Sequence, residues 1–200
     1  MKTIVTFVML YIAMELQDVI TVYSEKTPNP ESMKFVANKM ILPNDSIDFR
    51  TNEGLDVCPM AKELFGYDFV KGVFIMNNFV SVTKKSDVEW FDVIPKLKKF
   101  VQDYLETEKP IVVIKETLTD EEESEVVIKI KQLLEDHVRP AVEMDGGAID
   151  FKSFEEGIVT VTMKGSCSGC PSSTLTLKSG IENLLKRMIP EVEAVEAEAA

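Results

Sequence analysis

Residues 147–171 read GAIDFKSFEEGIVTVTMKGSCSGCP, and their pattern predicts the fold of the C-terminal part of the chain. Apolar and polar residues alternate in two runs, the period-two pattern of a hairpin with one buried face. Glu156-Gly157 lies between the runs and suits the turn. The alternating apolar positions are Ile149, Phe151, Val159, Val161 and Met163.

The second run leads directly into two cysteines, Cys167 and Cys170. Pro171 follows them and suits the first position of a helix, where its missing amide has no partner to lose. Free amides of that first turn and the helix dipole favour the thiolate form of both sulfurs. Thiolates at this spacing are compatible with dithiol redox chemistry, zinc or an iron-sulfur cluster.

The number of sulfurs per chain bears on the choice among these chemistries. Cys167 and Cys170 complete neither a tetrahedral zinc site nor a cluster, which commonly takes four cysteines. Two chains related by a two-fold axis would supply four sulfurs, so a bridging cluster predicts a cofactor-dependent homodimer. Thioredoxin-type redox chemistry needs only one chain, but its motif normally follows an early strand of a βαβ unit. The spacing alone leaves the choice open.

The first half of the chain carries the signals of a separate α+β unit. Thr27-Pro28-Asn29-Pro30 predicts a turn between two strands within Val19–Phe35. A third strand is expected at Ser46–Arg50, and a short helix after Pro59. The next elements are a hairpin of Val70–Met76 and Phe79–Lys84 and a helix over Asp87–Glu106, whose apolar stripe is Trp90, Phe91, Ile94, Leu97, Val101 and Leu105.

The second half predicts a helix, the hairpin, the CxxC loop and a final helix ended by Pro190. Thr119 and Glu122 fit a capping box at the start of the first of these helices. Asp145-Gly146-Gly147 predicts only a sharp turn. We therefore expect an α+β protein of two small domains, residues 19–106 and 119–195, joined by a linker at 107–118.

Composition limits the partners and the compartment. A net charge of -12 and an isoelectric point near 4.6 argue against nucleic acid, since no basic stripe faces phosphate. Three cysteines are too few for a disulfide framework, and an odd number cannot all pair within one chain. This cysteine usage favours a reducing, cytoplasmic location. The apolar run Ile4–Met14 is too short to span a membrane, and Met14 competes with Met1 as the first residue.

The segment Leu133–Pro190, with its Asp-Gly-Gly turn and Gly165–Ser173 loop, resembles the C-terminal domain of NifU-like (Nfu-type) iron-sulfur scaffold and carrier proteins. Thr27-Pro28-Asn29-Pro30 and Met33-Lys34-Phe35 resemble the N-terminal domain found beside it in many members. The resemblance implies a [4Fe-4S] cluster that bridges two subunits through Cys167 and Cys170. It also implies cluster transfer to apo iron-sulfur enzymes as acceptors, with upstream cluster assembly proteins as donors.

Cys58 and His137 also carry side chains that could take part in chemistry. Cys58 matches no ligand position of the family and is expected to be a bystander thiol, with a third ligand or a transfer relay as the alternative. His137 is expected near a helix end, and a single histidine gives no confident Ser-His-acid set, so an enzyme is not expected. The alternative functions are a dithiol-disulfide oxidoreductase using Cys167 and Cys170, or a zinc-binding interaction module.

Overall fold

The computed structural model describes residues 19–113, 124–168 and 171–199, which form an α+β fold with two sheets. The fold class predicted from the sequence is confirmed. We call residues 19–113 the five-stranded unit and residues 124–168 with 171–199 the three-stranded unit. The elements are β1 (Val22–Lys26), β2 (Ser32–Ala37), β3 (Leu42–Phe49), α1 (Pro59–Leu64), β4 (Val70–Asn77), β5 (Phe79–Lys84), α2 (Trp90–Glu106), α3 (Glu125–Leu133), α4 (Arg139–Met144), β6 (Gly147–Glu155), β7 (Ile158–Gly165), α5 (Pro171–Met188) and β8 (Ala194–Ala199).

The five-stranded unit is an antiparallel sheet in the order β1-β2-β5-β4-β3. The predicted turn at residues 27–30 joins β1 to β2, and Asn77, the last residue of β4, adopts φ 47°, as a tight turn into β5 requires. Strand β3 begins earlier than expected, at Leu42. Its pairing with β4 is irregular between Leu42 and Ser46, and this edge irregularity accommodates Pro43, which has no amide to donate.

Helix α2 contributes Leu97, Val101 and Leu105 to the core of the five-stranded unit. It begins at Trp90, after Glu89, rather than at the predicted Asp87. The prediction that Phe91 belongs to the buried stripe is wrong, because its side chain is 88% exposed. The neighbouring Trp90 is partly buried and donates its indole N–H to the Pro30 carbonyl at 2.8 Å, which fixes the rotation of this first turn.

The three-stranded unit begins with α3, where the Ser124 side chain accepts a hydrogen bond from the Val127 amide at 3.4 Å. The predicted capping box at Thr119 and Glu122 lies outside the described residues. A single π-helical turn, Leu134–Val138, connects α3 to α4. Pro140 then occupies the first turn of α4, where a missing amide is tolerated, so the chain remains helical beyond the expected end.

The predicted β6–β7 hairpin is confirmed, with Glu156 at φ 48° and Gly157 at φ 81° in its turn. Strand β8 pairs in parallel with β7 and completes the sheet. This strand, in the acidic, alanine-rich C-terminal segment, was not predicted from the sequence. Its Val195 is fully buried, while Glu196 is exposed, so a short alternation was the available signal.

Among the residues that the structure describes, no helix combines the length and the apolar composition that crossing a bilayer would require.

Candidate functional site

Cys167 lies in a tight turn directly after β7, which we call the thiol turn (residues 165–168). The Ser168 amide donates to the Gly165 carbonyl at 3.3 Å, and Gly165 adopts φ 65°. Cys167 is the third residue of this turn and is 5% exposed. Cys170, the second predicted site residue, lies outside the described residues, whereas α5 begins at Pro171 as predicted. The structure thus places one predicted thiol between a strand end and a helix start.

The Asp145-Gly146-Gly147 segment packs against the thiol turn and does more than reverse the chain. The Gly146 carbonyl accepts from the Ser166 amide at 3.3 Å, and the Asp145 carbonyl accepts from the Ser166 hydroxyl. A Cβ atom on Gly147 would lie 2.8 Å from the Cys167 sulfur and 2.6 Å from the Lys164 carbonyl oxygen. Gly147 therefore makes room for the thiol, a role that was not predicted from the sequence.

Two motifs from the first half of the chain also contact this region. Asn29, in the predicted turn, donates its side-chain amide to the Ser166 carbonyl at 3.3 Å. Lys34 donates to the Glu143 carbonyl at 2.9 Å, at the C-terminal end of α4, where a cation complements the helix dipole. The motifs that carry the resemblance of the first half therefore belong to the contact between the two units.

The most direct link between the units is a pair of charged residues at the end of β3, which we call the Gly165 clasp (Asp48 and Arg50). The Asp48 carboxylate accepts from the Gly165 amide at 3.1 Å, and the Arg50 guanidinium donates to the Gly165 carbonyl at 3.4 Å. Arg50 also pairs with Asp48 at 3.1 Å. The backbone amide and the backbone carbonyl of Gly165 are thus both bound by side chains of the five-stranded unit.

The Asp48 side chain is 4% exposed, and its burial is energetically costly. Burial raises the pKa of the Asp48 carboxyl, although the Arg50 charge, the Gly165 amide and the Lys164 charge act in the opposite direction. Because the pKa is raised overall, the site stabilises the ionised form of the Asp48 carboxyl less well than water does. The clasp is therefore specific in geometry but modest in net stabilisation.

A small cavity of about 70 Å³ lies beside the clasp, where the two units meet. Its lining includes Asp48, Arg50, Lys71, Gly165 and Ser168. The Ser168 hydroxyl is buried and has no hydrogen-bond partner among the residues that the structure describes. The contact between the units is therefore incompletely packed at the thiol turn.

Cys58 and Cys167 lie in different hydrophobic cores, that of the five-stranded unit and that of the three-stranded unit. Cys58 is fully buried, and burial raises the pKa of its thiol. A neutral, buried thiol is a poor ligand and a poor nucleophile, which favours the bystander interpretation of Cys58. His137 is exposed on the π-helical turn that precedes α4.

Comparison with known proteins identifies both halves of the chain. Residues 130–196 match the family model described as NifU-like domain, and residues 22–108 match that of the scaffold protein Nfu/NifU N terminal. The chain is 41% identical over 180 residues to the human NFU1 iron-sulfur cluster scaffold homolog, mitochondrial. It is also 41% identical over 185 residues to NifU-like proteins 4 and 5, mitochondrial, of Arabidopsis thaliana.

Each of these alignments covers 88% of this chain, which spans 70% of the human relative and 65% and 67% of the two plant relatives. All three relatives are named as mitochondrial proteins, so the prediction of a cytoplasmic location, which rested on cysteine usage, is wrong. A mitochondrial matrix is also reducing, and cysteine count does not separate the two compartments. By identity over most of its length, the chain belongs to the NifU-like, Nfu-type family, whose human member is named an iron-sulfur cluster scaffold.

Proposed function

We propose that this protein is a mitochondrial iron-sulfur cluster carrier that binds a [4Fe-4S] cluster through Cys167 and Cys170 and transfers it to apo-proteins. The observation that carries this proposal is that Cys167 lies in a tight turn directly after β7, in a sequence where Cys170 precedes Pro171, the first residue of α5. Thiolates are the usual protein ligands of such clusters. The cluster is cargo rather than a permanent part of the protein.

Two chains must cooperate to hold that cargo. Cys167 and Cys170 supply two thiolates per chain, and a [4Fe-4S] cluster commonly takes four. A two-fold symmetric dimer supplies four and places the cluster at its axis. We therefore propose a homodimer that depends on the cluster, in which residues 119–195 act as the ligand domain, residues 107–118 as a linker and residues 19–106 as a second domain.

Transfer follows from ligand exchange. Cysteines of an acceptor displace Cys167 and Cys170 one at a time, so the cluster passes to the acceptor while its irons stay ligated. The site needs to bind loosely enough to release its cargo, and it has no substrate to turn over. Apo iron-sulfur enzymes are the acceptors and upstream cluster assembly proteins the donors in this proposal; with a net charge of -12, neither nucleic acid nor an anionic membrane surface is a suitable partner.

Transfer is tested with the reconstituted protein and apo-aconitase as a probe acceptor. We expect aconitase activity to return within minutes under anaerobic conditions, and faster than with matched amounts of free iron and sulfide. The control repeats the reaction with a chelator that captures free iron, which should leave transfer from the protein largely unchanged. Recovery no faster than with free ions would contradict a carrier, and disulfide reduction of insulin without any need for sulfide would favour the oxidoreductase.

A further inference from the structure

We propose that Asp48 and Arg50 are positioning residues for the thiol turn: they hold Gly165 so that Cys167 stays withdrawn, and they release it before two chains share a cluster. This inference rests on the proposed function, because it names the residues that control access to the same site. It assigns to the five-stranded unit a specific task, which is to set the availability of a thiol in the other unit.

The geometry indicates that Asp48 and Arg50 fix the position of Gly165. Gly165 lies two residues before Cys167, and its amide and its carbonyl are both bound by the clasp, at 3.1 Å and 3.4 Å. Asn29 binds the next carbonyl, that of Ser166. A Cβ on Gly165 would lie 2.8 Å from the Phe74 ring, so β4 also abuts the turn. Side chains from the other unit thus hold the thiol turn in addition to the hydrogen bonds that it makes with Asp145 and Gly146 of its own unit.

While the clasp holds the thiol turn, the Cys167 sulfur is not accessible to a second chain. Cys167 is 5% exposed, and its neighbours Ser166 and Ser168 are 2% and 4% exposed. A cluster that bridges two subunits requires the sulfurs of both chains to reach the same irons across the interface. The thiol turn must therefore move outward before a second chain can approach, and the clasp opposes that movement.

The contact between the two units has the composition of an interface that can open. It is carried largely by polar groups, including the Ser81 hydroxyl on the Gly146 carbonyl at 2.7 Å and Asn77 on the Glu143 carboxylate at 3.1 Å. A buried ion pair adds little net stability, and polar contacts between units of one chain resemble transient interfaces. The cavity beside Ser168 removes packing at the same place. The shared apolar cluster is small and consists of Val36, Phe74, Met76, Phe79 and Ala148.

The test measures how fast iodoacetamide alkylates each cysteine of the full-length apo-protein, with mass spectrometry resolving the sites. In Asp48→Ala the Gly165 amide loses its acceptor, and we expect the alkylation of Cys167 to accelerate by about tenfold or more, as loss of a charged hydrogen bond implies. Asp48→Asn keeps an acceptor oxygen and should return the rate to within about threefold of wild type. Cys58, buried in the other core, is the internal control, and its rate should not change.

A second variant separates local release from unfolding. Arg50→Gln removes the contact to the Gly165 carbonyl from a side chain that is one-third exposed, and it should also accelerate Cys167 alone. Unchanged Cys167 rates in Asp48→Ala and Arg50→Gln would overturn the proposal. So would a parallel rise of Cys58 and Cys167 in both variants, because the turn would then open only when the protein unfolds.

The experiment also separates this inference from the proposed function. Alkylation of the apo-protein involves no iron, so a wild-type protein that takes up no cluster would contradict the carrier and leave the labelling result intact. If wild type takes up a cluster, we expect Asp48→Ala to take it up faster at the same final content. Equal uptake and equal labelling would leave the carrier standing and overturn the role of the clasp.

Discussion

We expect the replacement of either Cys167 or Cys170 with serine to abolish cluster binding while the protein stays folded. Each variant leaves one thiolate per chain, so a dimer offers two of the four sulfurs that a [4Fe-4S] cluster commonly takes. We expect less than about a tenth of the wild-type iron and sulfide after reconstitution. The sulfur-to-iron charge-transfer absorbance in the visible range, which reports the bound cluster, should be lost to the same degree.

The folded state should survive these substitutions with a modest loss of stability. Cys167 is buried, so the serine hydroxyl at that position costs about 1 to 3 kcal/mol if it finds no partner. Circular dichroism during thermal unfolding measures this loss separately from cluster content. Cys58→Ala is the matched control and should keep its cluster. A stable Cys167→Ser protein with full cluster content would contradict the ligand assignment, and unfolding of both serine variants would make the thiols structural.

Gly147→Ala should be a damaging single-methyl change beside the Cys167 sulfur. The added Cβ would lie 2.6 Å from the Lys164 carbonyl oxygen and 2.8 Å from the Cys167 sulfur, closer than such atoms approach. The strand and the sulfur must both move, which we expect to cost about 2 to 3 kcal/mol of unfolding free energy. The displaced sulfur should also lower cluster content. Urea unfolding and iron analysis of the same preparation measure the two effects.

Gly180→Ala provides the matched control for that substitution. Gly180 lies within α5, and a Cβ there would meet nothing within 4 Å. Alanine favours a helix over glycine by about 1 kcal/mol, so this variant should gain stability and keep its cluster. Equal stability and equal cluster content for Gly147→Ala and wild type would show that the space beside Cys167 is not needed.

Local patterns predicted the elements that hold the candidate site. The alternation of Val159, Val161 and Met163 identified β7, and Pro171 after Cys170 identified the start of α5, because both signals depend on neighbouring residues alone. Strand β8 was missed because its alternation is short and built from alanine and glutamate, which carry little strand preference. Phe91 was misassigned because helical spacing does not tell which edge of a stripe faces solvent.

The contacts around the thiol turn could not be predicted in the same way. Asp48 and Gly165 are separated by 117 residues, and nothing near either of them signals the other. The role of Gly147 depends on where a sulfur from a different segment lies, which only the folded chain determines. The sequence thus predicts the ligands through a motif and a resemblance, whereas the residues proposed to position them can be recognised only from the packing of the two units.

Anaerobic reconstitution with iron and sulfide, followed by size-exclusion chromatography, tests whether two chains share one cluster. Iron and acid-labile sulfide are assayed across the eluted peaks. The proposal predicts about four irons and four sulfides per dimer, with apo-protein eluting as a monomer. A monomer that carries metal without sulfide, or a full cluster on a single chain, would contradict it.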